Sequence, residues 1–157
     1  MRTVTVAPIQ KNGKVLITSG QVAQQTGKAT FDGFVVDRKF ASQNAEFVAR
    51  FVKVLATTDA SYRDHTSAWT ATSPQVEAVA KESGATAQEV PASLALYAFP
   101  TPAQQASKVW LGGGTQSGAV RSLAATAAFL KTQGTIQNLL ADYSTGVDPQ
   151  FVQRAAR

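Results

Sequence analysis

Hydrophobic positions in the first forty residues follow the pattern of short strands separated by turns. Valine- and isoleucine-rich runs at residues 4–6 and 15–17 lie on either side of the turn signal Asn12-Gly13. A polar stretch covers residues 19–28. The next run, residues 30–36 (TFDGFVV), predicts a further strand that is apolar at nearly every position.

From Ser42 onward, the spacing of apolar residues changes from that of strands to that of helices. Phe47, Val48, Phe51, Val54 and Leu55 recur at intervals of three and four residues, which predicts one apolar helix face. Between the later helices, the proline steps at residues 99–102 predict extended chain. The predicted helices cover residues 42–63, 74–83, 86–96, 118–133, 136–142 and 149–157.

This arrangement is lopsided, because two or three strands are followed by six helices. So small a sheet has too little surface to cover the apolar faces of that many helices. We therefore expect the strands that complete the sheet to lie upstream of residue 1.

Composition narrows the possible classes of protein. The 157 residues are 44% hydrophobic and 16% charged, which is typical of a folded domain. Lysines and arginines are scattered, so the net charge of +5 indicates a solvated surface and no nucleic-acid patch is expected. The absence of cysteine excludes disulfides, thiolate metal sites and a cysteine nucleophile.

Most candidate chemistry along the chain has a simpler structural interpretation. His65 is the single histidine, which excludes a two-histidine metal site, and its polar neighbours favour a surface position. The glycine-rich segment Gly112–Gly118 lacks the Gly-Lys-Ser/Thr ending of a phosphate-binding loop and is expected to be a helix-initiating turn. For Trp69 and Trp110, packing is favoured over ligand stacking.

Asp32 is different, because it is a carboxylate within an otherwise apolar run. Burying such a charge is costly unless a cation or several hydrogen-bond donors satisfy it. Two interpretations are equally supported by the residues. Asp32 forms an internal ion pair with Lys28, Arg38 or Lys39, or it faces a cleft and binds the ammonium group of a ligand.

Six stretches of the chain resemble, in order and spacing, landmarks of the taurine-binding periplasmic receptors of bacterial ABC importers. They run from about Asn12 to Val152, so the resemblance covers nearly all of the chain. It is closest to the carboxy-terminal half of that family. In chain order the stretches are NGKVLITSGQV, TFDGFVVDRKFA, YAFPTPAQQ, VWLGGG, AATAAFLKTQG and LLADYSTGVDPQFV.

The resemblance implies an α/β fold. It would be an incomplete type II periplasmic-binding-protein fold, with few strands at the amino-terminal end followed by a helix-rich carboxy-terminal part. Residues 1–30 would be a remnant of the second lobe, and residues 31–157 the returning part of the first lobe with the carboxy-terminal helices. Asp32 matches the family's acidic position, where a carboxylate pairs with the ammonium group of taurine. Segments before residue 1 would supply most groups for the sulfonate.

The implied function is that of a truncated solute-binding component of an ABC transporter that imports taurine or a related aliphatic sulfonate, without enzymatic activity, cofactor or metal. An inactive fragment is one alternative. An enzyme on the same fold, related to pyrimidine-precursor synthesis, is another, which the single histidine and missing cysteine disfavour. Expected partners are a taurine-like solute, the inner-membrane permease and, since the fold is incomplete, a second copy of the chain. Family resemblance implies the periplasm, although the start MRTVTVAPIQKNGKV has no apolar signal-peptide region.

Overall fold

The computed structural model describes Lys14, residues 16–26 and residues 31–157, and the regular structure in this part of the chain is helical. Within the described residues, three short 3₁₀ turns accompany the α-helices, at Thr66–Ala68, Gly114–Gln116 and Ser144–Gly146. The α-helices are α1 (Ser19–Thr26), α2 (Arg38–Gln43), α3 (Ala45–Asp64), α4 (Pro74–Ser83), α5 (Val90–Leu94), α6 (Pro102–Gln105), α7 (Gly118–Thr132) and α8 (Gln150–Ala155).

The helix-rich part of the predicted fold is confirmed, whereas the strands are not formed within the described residues. Residues 31–37 and 16–18 have irregular backbone. An isolated strand leaves its amide and carbonyl groups unpaired, and no neighbouring strand is described from which a ladder could form. Phe34 instead packs its ring edge-on against Phe51, with centroids 5.4 Å apart. The strand predicted at residues 4–6, and Val15 of the other, lie outside the described residues.

Helix α3 confirms the long helix predicted from Ser42 to Arg63, but with a later start. Asp37 caps the separate helix α2, and Asn44 then breaks the helical backbone with φ −127° and ψ 37°. The residues of the predicted single apolar face separate into a buried set and an exposed set. Val48 is buried, whereas Phe47 and Phe51 are exposed.

Two other helices have the boundaries that their capping residues predict. Pro74 occupies the first turn of α4, and Gly84 ends it in the left-handed conformation with φ 74°. Ser117 caps α7 by accepting a hydrogen bond from the amide of Val120 at 3.1 Å. Helix α7 therefore begins at Gly118 as predicted and ends one residue before the predicted Gln133.

Several short elements differ from the sequence predictions. The helix predicted at residues 136–142 is not formed, and the helix predicted at 86–96 is reduced to α5. The Thr86 amide instead donates to the Glu89 carboxylate at 3.1 Å, which closes a turn before α5 begins. Conversely, the polar stretch at residues 19–28 contains α1, and the proline-rich segment contains α6, which has a complete capping box.

The chain divides into two compact units, and the division falls within α3, between Thr57 and Thr58. Among the described residues, the first unit has Lys14, residues 16–18 and residues 58–99, and its core is built around Tyr62, Trp69, Val76 and Val90. The ring of Tyr62 meets that of Trp69 edge-on, with centroids 5.3 Å apart. Aromatic and valine packing therefore stabilises this unit.

The second unit has residues 19–57 and 100–157. One of its buried clusters joins Ala41 of α2, Val48 of α3 and Phe151 of α8. Helix α6 also packs against α8. Helices α2 and α3 are therefore held against the carboxy-terminal helix α8, and Asp32 lies in the same unit.

Candidate functional site

The site residue predicted from the sequence, Asp32, lies in the irregular segment of residues 31–37, which leads into helix α2. Asp32 is exposed in it, and so are its apolar neighbours Phe34 and Val35. The segment thus carries an accessible carboxylate between large apolar side chains. This is a different setting from the buried strand that the sequence predicts, and the desolvation cost expected for a buried carboxylate does not arise.

The second carboxylate in this segment, that of Asp37, caps helix α2. Asp37 Oδ1 accepts a hydrogen bond from the backbone amide of Phe40 at 2.8 Å, as an N-cap residue of α2 does. For Asp32, in contrast, the structure shows no hydrogen bond or ion pair with any described residue. Of these two acids, Asp32 is therefore the one whose oxygens have no partner within the described part of the chain.

Two of the cations that the sequence offers as partners of Asp32 are not paired with it. Arg38 turns toward the carboxy-terminal part of the unit, where its Nη2 donates to the carbonyl oxygen of Thr145 at 2.6 Å. No ion pair of Lys39 is present among the described residues. The third cation, Lys28, lies outside them. The internal ion pair with Arg38 or Lys39 is therefore not formed, and the ligand-binding role of Asp32 stays a prediction.

The loop that receives Arg38 is itself held by an acidic residue. Asp142 accepts two hydrogen bonds from Ser144, one from the hydroxyl and one from the amide, both 2.7 Å long. These bonds favour the charged carboxylate and lower the pKa of Asp142, the hydroxyl contributing most. Arg38 thus connects two of the stretches that carry the family resemblance, TFDGFVVDRKFA and LLADYSTGVDPQFV. Local patterns in the sequence gave no signal for this contact.

The glycine-rich segment before α7 is a helix-initiating turn, as predicted. The amide of Gly118 donates to the Lys108 carbonyl at 3.0 Å, and the amide of Ala119 donates to the Trp110 carbonyl at 2.9 Å. The Val120 amide is taken by the Ser117 hydroxyl. An anion at a helix N-terminus needs free amides, and these three are already bonded.

The other candidate residues also have the structural positions predicted for them. His65 is exposed, beside the 3₁₀ turn Thr66–Ala68. Trp69 is buried against Tyr62, and Trp110 is half-buried. Across residues 16–26 and 31–157, the structure brings together no group of three or more acidic or histidine side chains that could hold a metal ion. Nor is any described helix both long and apolar enough to cross a membrane.

Comparison with known proteins supports the resemblance to one family. No family model matches the chain, and no solved structure matches it significantly. The taurine-binding periplasmic protein of Escherichia coli strain K12 is 32% identical to this chain over 149 residues. The match covers 94% of this chain and 44% of that protein, so the chain spans less than half the length of this relative. The resemblance predicted from the sequence is therefore confirmed: along nearly its whole length, this chain is similar to a taurine-binding periplasmic protein.

Proposed function

We propose that this chain is the carboxy-terminal part of a solute-binding component of an ABC importer, with taurine or a related aliphatic sulfonate as its solute. The observation that carries the proposal is the 32% identity to the E. coli protein over 94% of the chain. The 44% coverage of that relative supports a chain that contributes one portion of a larger two-lobed receptor. Because the relative is named as a binding protein, we propose binding and delivery to a permease rather than catalysis.

Within this proposal, Asp32 binds the ammonium end of the solute. A carboxylate and an ammonium form a charge-assisted hydrogen bond, which is stronger than one between neutral groups. Three features support Asp32 for this role. Its carboxylate is exposed, it has no partner among the described residues, and Arg38 nearby is engaged by Thr145. Asp37 is unsuited because it caps α2.

The sulfonate end is proposed to bind elsewhere in the complete receptor. A sulfonate needs several N–H or hydroxyl donors, and the first amides of α7 are bonded to Lys108, Trp110 and Ser117. We assign residues 1–30 to the second lobe and residues 31–157 to the returning part of the first lobe. The strands of the α/β fold would then pair only in the complete receptor, which agrees with the irregular backbone at residues 31–37.

Isothermal titration calorimetry with taurine tests the assignment of Asp32. A chimera would join this chain to the unmatched part of the E. coli protein, so that binding groups for both the ammonium and the sulfonate are present. Asp32→Asn should weaken taurine binding about 10- to 100-fold, the loss expected for one hydrogen bond to a charged group. Asp37→Asn is the matched control, since asparagine also caps helices well and should leave the affinity unchanged.

Ethanesulfonate, which lacks the ammonium group, separates the two ends of the site. Its affinity should be the same in the chimera and in Asp32→Asn, because neither its sulfonate nor its ethyl group needs this carboxylate. An equal loss for both solutes would show that Asp32 acts through the fold and would remove it from the proposed site.

The unextended chain tests the larger proposal. Since half of a cleft buries too little of a small solute, the chain alone should show no heat with millimolar taurine, while the chimera binds it. Failure of the chimera to bind either solute, although folded by circular dichroism, would overturn the receptor function and favour an inactive fragment.

A further inference from the structure

Asp32 is followed by Gly33, and this is the single Asp-Gly step in the sequence. Both residues are exposed and lie in the irregular segment of residues 31–37. The backbone nitrogen of the residue after an aspartate can attack Cγ of the aspartate side chain. A side chain on that following residue hinders the attack, and regular structure prevents it by fixing the backbone and bonding the amide. Glycine in irregular backbone removes both obstacles.

The fold leaves the two reacting groups unengaged. Within the described part of the chain, the Gly33 amide donates no hydrogen bond and the Asp32 carboxylate has no partner. The space beside Gly33 is also open, since apart from its chain neighbours the nearest atom to its Cβ position belongs to the Phe31 ring, 3.9 Å away. The segment is held only further along, where Phe34 meets Phe51. No described hydrogen bond therefore opposes rotation of Asp32 and Gly33 into the reactive geometry.

The other aspartates of the chain are each followed by a residue that carries a side chain. They are Asp37, Asp59, Asp64, Asp142 and Asp148. Asp37 is the most useful comparison, because it lies in the same segment. Its Oδ1 is held by the Phe40 amide at 2.8 Å, and the next residue, Arg38, begins α2. Among the aspartates, Asp32 alone combines a following glycine with a carboxylate that has no described partner.

We propose that Asp32–Gly33 is a site of spontaneous isoaspartate formation in this chain. The Gly33 nitrogen attacks Cγ of the protonated Asp32 carboxyl group, an N–Cγ bond forms, and the amide hydrogen and the carboxyl OH leave as water. The product is a cyclic imide, which water then opens at either carbonyl carbon. Opening at Cγ restores aspartate, whereas opening at the backbone carbonyl of Asp32 leaves the main chain running through Cγ, as isoaspartate. The water lost in the first step is regained in the second, so no oxidant, reductant or other co-reactant is required.

The reaction moves the carboxylate. Isoaspartate keeps the negative charge but carries it on Cα, and its main chain is longer by one methylene group. For solute binding the consequence rests on the proposed function, in which the displaced carboxylate no longer reaches the ammonium group. The candidate binding residue is then lost as the isolated chain ages. Strand pairing of residues 31–37 in the complete receptor would bond backbone amides there and slow the reaction.

Incubation of the folded chain at mildly acidic pH, followed by tryptic digestion and mass spectrometry, tests the proposal. Cleavage after Lys28 and Arg38 gives a peptide of residues 29–38, which contains both Asp32 and Asp37. Imide, recognised by the loss of water, and then isoaspartate, located by electron-transfer fragmentation, should accumulate at Asp32 and not at Asp37. A sample digested without incubation corrects for reaction during digestion.

Two variants test the chemistry. Gly33→Ala should slow the reaction several-fold because its methyl group hinders the attack, and the distance of 3.9 Å to Phe31 leaves room for that group in the fold. Asp32→Glu keeps the charge and the glycine but should not react on the same timescale, because attack on Cδ requires a larger ring. Asp32→Asn reacts through the same imide with ammonia as the leaving group, so calorimetry on that variant uses freshly prepared protein.

A synthetic peptide of residues 29–38 shows whether the fold protects this step. The folded chain should react within a few-fold of the rate of the peptide. A peptide that reacts while the folded chain does not, equal reaction at Asp32 and Asp37, or an unchanged rate in Gly33→Ala would overturn the proposal. The chimera keeps this result separate from the receptor function. Slower reaction in the chimera supports strand pairing at residues 31–37, and an equal rate speaks against that pairing while still supporting the reaction at Asp32.

Discussion

Arg38 donates a hydrogen bond of 2.6 Å to the carbonyl oxygen of Thr145, which lies 107 residues further along the chain. An ion pair adds a second long-range contact, between Arg154 Nη1 and Glu46 Oε1 at 2.9 Å. Phe151 adds apolar contact with α2 and α3. These three contacts hold the first and last parts of the second unit together. Helix α2, which follows the segment that carries Asp32, is therefore anchored by residues far away in sequence.

Removing the Arg38 side chain tests the strength of this anchor. Arg38→Ala should lower the free energy of unfolding by about 1 kcal/mol, since a net intramolecular hydrogen bond contributes that amount. Urea denaturation followed by circular dichroism measures the change. Lys39→Ala is the matched control, because no ion pair of Lys39 is described, and it should change stability by less than about 0.5 kcal/mol. Equal effects of the two substitutions would show that the contact with Thr145 contributes nothing.

Asp142 should make the stability of the second unit depend on acid pH. Its folded-state pKa is lowered by the hydroxyl and amide of Ser144. The stabilisation is therefore fully present above the unfolded-state pKa of about 3.9 and is lost as the pH falls through the folded-state value. Asp142→Ala should be less stable than the parent at pH 7, and the difference should disappear on acidification. Thermal melts between pH 2 and pH 7 measure it, and a difference that is constant with pH would contradict the assignment.

The pKa of Asp59 is shifted in the opposite direction to that of Asp142, so its effect on stability should have the opposite pH dependence. Burial raises the pKa of its carboxyl, and the nearby charge of Arg63 lowers it by a smaller amount. The folded state therefore favours the protonated form, and stability contributed by Asp59 falls as the pH rises through the unfolded-state pKa and then the folded-state pKa. Asp59→Asn should be at least as stable as the parent at pH 7 and should lose that advantage at acid pH. If the stabilities of Asp59→Asn and Asp142→Ala depended on pH in the same way, burial could not be the main cause of the pKa shift of Asp59.

The sequence predicted the helices whose ends are defined by local chemistry. Pro74 and Gly84 mark the two ends of α4, and Ser117 marks the start of α7, because capping needs only neighbouring residues. The strand predicted at residues 30–36 is not formed at the described residues 31–36, for the opposite reason. Apolar, β-branched residues favour a strand, but a strand forms only where another provides a ladder of hydrogen bonds.

The sequence singles out Asp32 as the candidate site residue but does not predict its surroundings. Asp32 was found because one carboxylate interrupted an apolar run, and the separate role of Asp37 followed only from its bond to Phe40. The pairing of Arg38 with Thr145 spans 107 residues and leaves no periodic trace in the sequence. Similarly, spacing predicted that Phe47 and Val48 share an apolar face, but only packing decides that Val48 is buried and Phe47 is not.

The core of the first unit depends on Val76, which has no solvent exposure and packs in the cluster with Tyr62 and Trp69. Val76→Ala removes two methyl groups from a closed site and should lower the free energy of unfolding by roughly 2 kcal/mol. Denaturation followed by tryptophan fluorescence reports the change close to Trp69. Val109→Ala removes the same atoms at a position 70% exposed and should cost less than about 0.5 kcal/mol. A loss below about 1 kcal/mol for Val76→Ala would indicate that the cluster is loosely packed.

Gly118 is required where α7 begins, because its backbone lies directly on the preceding segment. A Cβ atom at this position would collide with the carbonyl oxygen of Val109, and since that atom is backbone, no side-chain rotation can relieve the contact. Gly118→Ala should therefore destabilise the second unit by about 1–3 kcal/mol through overpacking, although alanine is the better helix former. Gly146→Ala is the matched control, since nothing lies within 4 Å of its Cβ position and its φ is not in the left-handed range. Urea denaturation of the two variants separates the explanations: a loss confined to Gly118→Ala supports close approach, whereas equal losses would point to glycine's backbone freedom instead.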